Sequence, residues 1–182
     1  MPSYLFQSQR LGFRNWSEKD LDEFAVMNAD LEVMKHFPKS LTREESALAL
    51  QKFQALFEEK GYTYYATDLL ETGEFIGFIG LADKDFESDF TPAVDIGWRL
   101  KKSAWGKGLA TEGAIRCLEF GFKTLHLNSI ISLCPIVNTG SENVMKKIGM
   151  KKMKIFKHPQ LGDFPRLQEC VLYQIENNEM HK

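Results

Sequence analysis

Residues 92–125, PAVDIGWRLKKSAWGKGLATEGAIRCLEFGFKTL, constrain the fold more than any other stretch of the chain. PAVDIGWRL reads as a strand, KKSAWGKG carries two glycines one residue apart, and from Trp105 to Leu125 the period becomes helical. Ala110, Ala114, Leu118 and Phe122 recur four apart on one face. Glu112–Arg116 and Glu119–Lys123 stand as i,i+4 ion pairs in the favoured order on the other. Such a helix must bury its apolar stripe on a sheet, which points to an α/β chain. Two glycines at a helix start mark either a tight turn or a place where a ligand touches bare backbone.

The rest of the chain supplies the other layers. YLFQSQRLGFRNW reads as a first strand. Ser17 opens a helix in SEKDLDEFAVMNAD, with Leu21, Phe24, Ala25 and Asn28 on one face and acids in the first turn. A short helical piece in LEVMKHF stops at Pro38. LTREESALALQKFQALFEEKG is a second helix: Thr42 and Glu45 form a capping box, Leu48, Phe53 and Leu56 share a stripe, and Gly61 ends it. YTYYATDL and FIGFIGLAD make an antiparallel hairpin across LETGE. Beyond the glycine loop and its helix come a buried strand in LNSIISLCP, a short helix in NTGSENVMKKIG, and two last strands in MKKMKIFKHP and RLQECVLYQI. The order β-α-α-β-β-β-α-β-α-β-β gives a mixed sheet with helices on its faces. With 182 residues and no repeat or linker, residues 1–182 read as one domain.

Composition excludes several classes. Hydrophobic residues at 43% and charged ones at 26% fit a folded globular chain. A net charge of −2 offers no bulk attraction for nucleic acid. No stretch approaches the roughly 18 apolar residues of a membrane helix, and the N-terminus lacks a signal core. Cys117, Cys134 and Cys170 are an odd set without CxxC spacing, so they read as reduced, buried thiols of a cytoplasmic protein. His36, His126, His158 and His181 have no metal-ligand spacing, and no metal is expected.

Three readings compete for the glycine loop. A P-loop fails, because Lys101 stands at the first glycine position and Gly108 at the hydroxyl position. A dinucleotide fingerprint is weak, because Thr111 replaces the third glycine and the loop follows a hairpin. The third reading seats a pyrophosphate on successive backbone N–H groups at the helix start, with Gly106 and Gly108 keeping Cβ atoms away. A bare strand-to-helix turn stays open beside it. NTGSENVMKKIGM, residues 138–150, adds a second junction. There Thr139 and Glu142 form a capping box, leaving Asn138 and Ser141 as short polar groups in a carboxyl-end crevice.

These residues resemble the GNAT superfamily of acetyl-CoA-dependent N-acetyltransferases, and within it the Rim-type branch of ribosomal-protein N-terminal acetyltransferases. The superfamily loop Gln/Arg-x-x-Gly-x-Gly/Ala falls on Trp105-Gly106-Lys107-Gly108-Leu109-Ala110, and WGKGLATE looks like that branch's version. The element N-x-x-S-x-x-V-x-x-K-x-G matches Asn138, Ser141, Val144, Lys147 and Gly149. QRLGFRNWSEKDLDEF and DLEVMKHF resemble the branch's opening. The resemblance implies a mixed, mostly antiparallel sheet with helices on both faces, splayed between the strand ending at Leu100 and the strand at Leu127–Cys134. Acetyl-CoA would lie in the V, with pantetheine along Ile96, Trp98 and Leu100. Pyrophosphate would meet the backbone of Lys107, Gly108, Leu109 and Ala110, with Trp105, Gly106 and Thr111 in the same site. Asn138 and Ser141 would contact the pantetheine arm, and Lys147 a CoA phosphate.

Acetyl transfer from a thioester to an amine needs a neutral amine, although ammonium pKa values run from about 8 to 10.4, so it calls for a base. It also needs a donor for the oxyanion, here a strand N–H near Ile96–Trp98, and an acid for the departing thiolate. Many superfamily members use a Tyr seven residues after the motif Asn as that acid, but this chain has Met145 there. By resemblance to the Rim-type branch the role passes to Ser141. Asp95 is the best-placed base, unless it pairs with Arg99 or a neighbouring strand; Glu74, Asp83 and Glu169 stand further out. No cysteine matches a nucleophile position, so transfer would be direct, within a ternary complex of acetyl-CoA and a peptide N-terminus. A small-amine acceptor and a CoA-binding domain without turnover are the alternatives, in a monomer or a homodimer. Asp83, Asp85, Glu87 and Asp89 hint at a cationic acceptor.

Overall fold

The structure is a computed structural model that describes residues 3–179, so His181 lies outside the described residues. YLFQSQRLGFRNW makes two short strands where one was expected, β1 (Phe6–Gln7) and β2 (Leu11–Arg14). The chain reverses between them because the Ser8 N–H bonds the Leu11 carbonyl while the Ser8 Oγ is drawn to Glu112. Ser17 starts a turn of 3₁₀ helix, Glu18–Asp20, closed by the Asp20 carboxylate on the Ser17 N–H. Helix α1 (Leu21–Ala29) follows, burying Phe24, Met27 and Asn28. Residues 31–36 are turns, not the helical piece expected. Asp30 Oδ1 takes the N–H groups of Glu32 and Val33 as an N-cap does, and the Met34 N–H bonds the Asp30 carbonyl, but the turn does not propagate: the Phe37 N–H bonds Met34 three residues back and Pro38 follows.

Helix α2 (Arg43–Lys60) has the expected capping box of Thr42 and Glu45, and Gly61 ends it at φ +76°. Its buried stripe differs from the expected one. Ser46 and Leu50 are buried with Ala49 and Phe53 against them, whereas Leu48 is 58% exposed. A residue two positions from Leu50 points away from the face Leu50 occupies.

Strands β3 (Tyr64–Leu69), β4 (Phe75–Lys84) and β5 (Ala93–Leu100) run as an antiparallel meander. Helix α3 (Leu109–Lys123) then crosses to β6 (Ser129–Pro135), and α4 (Thr139–Lys147) leads to β7 (Lys151–Lys157). The residues RLQ, expected in the last strand, belong to a short helix α5 (Pro165–Gln168), for which Pro165 supplies a preset first turn. β8 (Glu169–Glu176) completes one eight-stranded sheet in the order β1-β2-β3-β4-β5-β6-β8-β7. Among the described residues only β5 and β6 are parallel neighbours. The fold is therefore the mixed, mostly antiparallel α/β sheet with helices on both faces.

Two cores flank the sheet. On one face α1 and α2 bury Trp16, Phe24, Ala66 and Phe78. On the other α3 packs Ala114, Leu118 and Phe122 on Ile79, Leu81 and Ile96. Gly113 brings α3 close, since a Cβ there would lie 2.3 Å from Ile79 Cδ1. The two i,i+4 ion pairs expected along α3 do not form. Glu112 turns to Arg10, while Arg116 donates to the Gln7 carbonyl and lies 3.8 Å from Glu119.

Arg14 ties β2 to the rest of the molecule. Its guanidinium bonds both oxygens of Asp68, at 2.7 and 3.0 Å, and both of Asp20, at 2.8 Å each. Burial works against the Asp20 charge, yet Arg14 and the Ser17 N–H hold its carboxyl below the usual range. Arg14→Met leaves two buried carboxylates without a cation and is expected to cost about 3–5 kcal/mol in urea unfolding at neutral pH. Asp20 titrates lower folded than unfolded, so its contribution is present above the unfolded pKa of about 3.9 and is lost as acid titrates the folded carboxyl. The gap between wild type and variant should accordingly close below pH about 4.

Candidate active site

β5 and β6 share a single pairing position, Asp95 opposite Ile131. The Lys101 N–H bonds the Ile76 carbonyl, on the β4 side of β5. Backbone groups alternate along a strand, so those of Ile96, Trp98 and Leu100 face β6. Past Asp95 the two strands part. Ser132 Oγ donates to the Ile96 carbonyl at 2.9 Å, and Trp105 Nε1 donates to the Leu100 carbonyl at 2.9 Å. Each side chain serves a carbonyl that has lost its strand neighbour. Between them the N–H and C=O of Trp98 face the gap. This is the V expected between the strand ending at Leu100 and the next one.

The V ends at the start of α3. Gly106 and Gly108 have φ of +73° and +76°, where an L side chain costs about 1–2 kcal/mol. The turn itself thus requires glycine. The space above is nonetheless open: a Cβ on Gly106 would meet nothing within 4 Å, and one on Gly108 only Arg10 Nη2 at 3.7 Å. Helix α3 has Gly108 as its N-cap and no side-chain cap. Its first internal bond runs from the Glu112 N–H to the Gly108 carbonyl, so the N–H groups of Leu109, Ala110 and Thr111 have no helical acceptor. Lys107 is exposed and Ala110 and Thr111 half-buried, while the Leu109 side chain is in the core.

Arg10, which the sequence did not single out, straps this loop. Its Nε donates to Glu112 at 2.6 Å and its Nη1 to the Lys107 carbonyl at 3.0 Å, and the side chain stays 46% exposed. Ser8 and the Arg10 N–H also bond Glu112. Although burial opposes it, these partners hold the Glu112 carboxyl below its usual range. The only sequence signal was the position of Arg10 in QRLGF, 102 residues from its partner Glu112.

At the second junction the expected Thr139–Glu142 capping box does not form. Asn138 is the N-cap, one residue earlier, and its Oδ1 accepts the Ser141 N–H at 3.1 Å. Glu142 reaches instead to the Tyr173 hydroxyl at 2.9 Å and to Lys152 at 3.3 Å. The half-buried Ser141 hydroxyl has no protein partner among the described residues. Met145 is 1% exposed, so the position seven after Asn138 belongs to the core. Lys147 lies exposed in the last turn of α4, about 9 Å along the helix from Ser141, and is not brought to the same spot.

Asp95 opens on the other sheet face. It is 4% exposed and its Oδ1 accepts the Tyr64 hydroxyl at 2.6 Å. Lys84 Nζ lies 3.0 Å from that hydroxyl and 3.5 Å from Asp95 Oδ1. Its partners stand on the neighbouring β4 and on β3 beyond it, and Arg99 is not among them. Tyr64 crosses the sheet because two glycines make room: a Cβ on Gly80 would lie 2.7 Å from Tyr64 Cα, and one on Gly97 3.0 Å from its ring. Glycines inside strands mark such close approaches, and that was the signal for Tyr64. Burial pushes the Asp95 carboxyl up even with Lys84 beside it, and burial with the Asp95 charge pushes Tyr64 up. Lys84 is raised despite its own burial, chiefly by Asp95 and Tyr64.

The other candidate groups are spoken for or remote. Asp83 accepts the Tyr62 hydroxyl at 2.5 Å and lies 3.8 Å from Lys60, and Asp89 bonds Lys154. Glu74 and Glu169 are exposed. All three cysteines are free and buried; burial pushes Cys134 up to about 12 and Cys170 to about 11. Among the described residues no group of three or more His, Cys, Asp or Glu is gathered for a metal, and no helix is long and apolar enough to cross a membrane.

Lys84→Met removes the cation facing Asp95 and is expected to destabilise by about 2–3 kcal/mol at pH 7, a figure lowered because Lys84 is partly exposed. Asp95 then titrates still higher folded than unfolded, so the loss is absent below the unfolded pKa of about 3.9 and grows as pH rises toward the folded one. Urea unfolding at pH 4.5 and 7 checks this; an equal loss at both would mean that Lys84 acts through packing.

Comparison with known proteins gives this geometry a family. The acetyltransferase (GNAT) domain family matches residues 10–151. An uncharacterized N-acetyltransferase, YnaD, of Bacillus subtilis (strain 168) is 31% identical over 151 residues, covering 82% of this chain and 84% of its own length. A GNAT-family acetyltransferase structure from Bacillus anthracis superposes with a TM-score of 0.80 at 27% identity, over 95% of this chain and 98% of that one. Two more distant structures share the fold. One is the spermidine N-acetyltransferase of Vibrio cholerae in complex with CoA and spermine (TM-score 0.75, 15% identity, 95% and 99% coverage). The other is RimL, a ribosomal L7/L12 alpha-N-protein acetyltransferase in complex with coenzyme A (TM-score 0.75, 16% identity, 96% and 98% coverage). The chain belongs to the GNAT family of N-acetyltransferases.

Proposed function

We propose that this enzyme binds acetyl-CoA in the V between β5 and β6 and passes the acetyl group directly to a primary amine, that of a peptide N-terminus. The observation that carries the reading is the β5 edge, free past Asp95 and leading to a long helix with no side-chain cap at its start. Pantetheine amides fit that edge along Ile96, Trp98 and Leu100. A pyrophosphate fits the N–H groups of Lys107, Gly108, Leu109, Ala110 and Thr111, with Trp105 and Gly106 shaping the loop and the Arg10 guanidinium beside it. Asn138, held by its Oδ1 on Ser141, offers its amide N–H₂ to the pantetheine arm. Lys147 stands further along α4, where a CoA phosphate could reach it.

Acetyl-CoA supplies an activated thioester, and the chain supplies the rest. The Trp98 N–H faces the gap and donates to the oxyanion as the amine nitrogen bonds the carbonyl carbon. Asp95, directly or through Tyr64, takes the proton the nitrogen sheds. Ser141 donates a hydrogen bond to the sulfur as the C–S bond breaks, and solvent restores the thiol proton. Cysteines buried this deeply hold no thiolate at neutral pH, which supports transfer without an acetyl-enzyme. Reduced thiols and acetyl-CoA fit a cytoplasmic setting.

A polyamine acceptor is the second reading, raised by the acidic loop. Asp83, at the end of β4, and Asp89, in that loop, are already paired with cations, so they favour a cationic acceptor less than the sequence suggested. Acetyl-CoA at about 100 times its dissociation constant should stabilise the protein by about 2.7 kcal/mol in thermal unfolding, and Gly108→Val should remove most of that shift. Ser141→Ala should lower kcat about 100-fold at saturating acetyl-CoA, followed by CoA thiol release. Turnover of spermidine with none of N-terminal peptides would sink the peptide reading.

A further inference from the structure

Arg99 is a buried cation that the protein does not neutralise. Its guanidinium lies 4.2 Å from the Phe37 ring centroid and 5.2 Å from that of Phe78. Nη1 donates to Asn28 Oδ1 at 2.7 Å, and Asn28, fully buried, is fixed in turn by its Nδ2 on Ser46 Oγ at 3.1 Å. Nε is buried without a partner, and Nη2 bonds no protein group among the described residues. No carboxylate there lies within ion-pair distance, and burial pulls the guanidinium down to about 10. The neighbourhood adds positive charge. His36, beside Phe37, has a buried, unpartnered Nδ1 and is pulled down by burial and by Lys35 and Arg166. Phe37 and Arg166 also line a cleft of about 320 Å³, with Asp163 on its wall as well.

We infer that Arg99 receives a carboxylate of the amine acceptor and so sets acceptor specificity, an inference that rests on the amine acetylation proposed above. An ion kept from water without an opposite charge is costly, so the missing anion is expected from outside the chain. Nε and Nη2, neither bonded by the protein, form one edge of the guanidinium; Nη2 is open to one carboxylate oxygen, and the buried Nε takes the second only after the packing around it shifts. Arg99 as a whole is half-buried, so the group is reachable at its margin. Asp95, Gly97 and Arg99 alternate onto one face of β5, the face of Tyr64 and Phe78. The Asp95 carboxylate and the Arg99 guanidinium thus lie about 13 Å apart along one face of the strand, with the Tyr64 ring over Gly97 between them, so an acceptor would meet the Tyr64 hydroxyl with its amine and Arg99 with its carboxylate. Polyamines carry the wrong charge for the second position.

The test compares matched acceptors. A free amino acid is set against its amide, and a peptide amide with Asp at its second position against the same peptide with Asn, which separates the two sources of carboxylate. Wild type should favour the carboxylate partner of at least one pair by about tenfold or more in kcat/KM, and Arg99→Met should bring that ratio to about one, mainly through KM. Arg99→Met keeps the apolar stem between the two rings; if it does not fold, the wild-type ratios decide alone. Ratios near one in both wild-type pairs, a ratio unchanged in Arg99→Met, or preference for spermidine each overturn the inference. Calorimetry with acetyl-CoA separates the two failures. No binding of acetyl-CoA removes the acetyl-transfer reading itself, whereas binding with flat ratios removes only the role of Arg99.

Discussion

Two well-paired half-sheets meet in this molecule at one residue pair. β5 is held by β4 along its whole length, from Ala93 opposite Lys84 to Leu100 opposite Gly77. β6 is held as completely by β8, from Ser129 opposite Glu176 to Pro135 opposite Cys170. Between the halves stands Asp95 opposite Ile131 alone. The two edges pair no further, so the backbone groups past Asp95 must find partners elsewhere. Ser132, from β6, and Trp105, from the loop after β5, satisfy two of those carbonyls. The glycine loop and α4 sit where they do because both follow strands that end at this opening.

The arginines show how the chain treats buried charge. Arg14 has two carboxylates, each held by two bonds, and ties the sheet margin to α1. Arg10 has Glu112 and stays half in water. Arg99 alone is placed between two rings with a neutral amide as its partner. A chain that pairs Arg14 so fully has the means to pair Arg99, yet Arg99 packs against Phe37 and Phe78 with Nε and Nη2 unbonded by the protein. That contrast within one protein gives the uncompensated charge its meaning.

Much of this was legible in the sequence because it is local. The period of α3, the Thr42–Glu45 cap, Gly61 at the end of α2 and the strand–loop–helix junction all rest on residues within a few positions of one another. The misses are also physical. Leu48 satisfied an apolar count while lying off the buried face, and Thr139–Glu142 satisfied a capping pattern that Asn138 pre-empted by one residue. LEVMKHF looked helical, and Asp30 does cap its first turn, but the segment is too short before Pro38 to go beyond turns. The partners of Asp95, Arg99 and Glu112 could not be read at all. They lie 31, 71 and 102 residues away, and only the sheet order brings them together.

For the proposed reaction, the Tyr64–Asp95–Lys84 cluster bears on how an amine loses its proton. A solvated carboxylate is a weak base against an ammonium whose pKa is about 8. Burial raises the Asp95 carboxyl and so improves the match, while Lys84 at 3.5 Å works the other way and favours the charged form. Asp95 Oδ1 already takes the Tyr64 hydroxyl, so an incoming amine meets either Oδ2 or the phenol oxygen. The phenol itself is pushed up by burial and by Asp95, and serves as a relay only if its own proton moves to Asp95 at the same moment. Gly97 is what permits this placement, because any larger side chain there would displace the Tyr64 ring from the vertex of the V. One bare position in a central strand thus links the opening that fits the thioester on one side to the group that can accept the proton on the other.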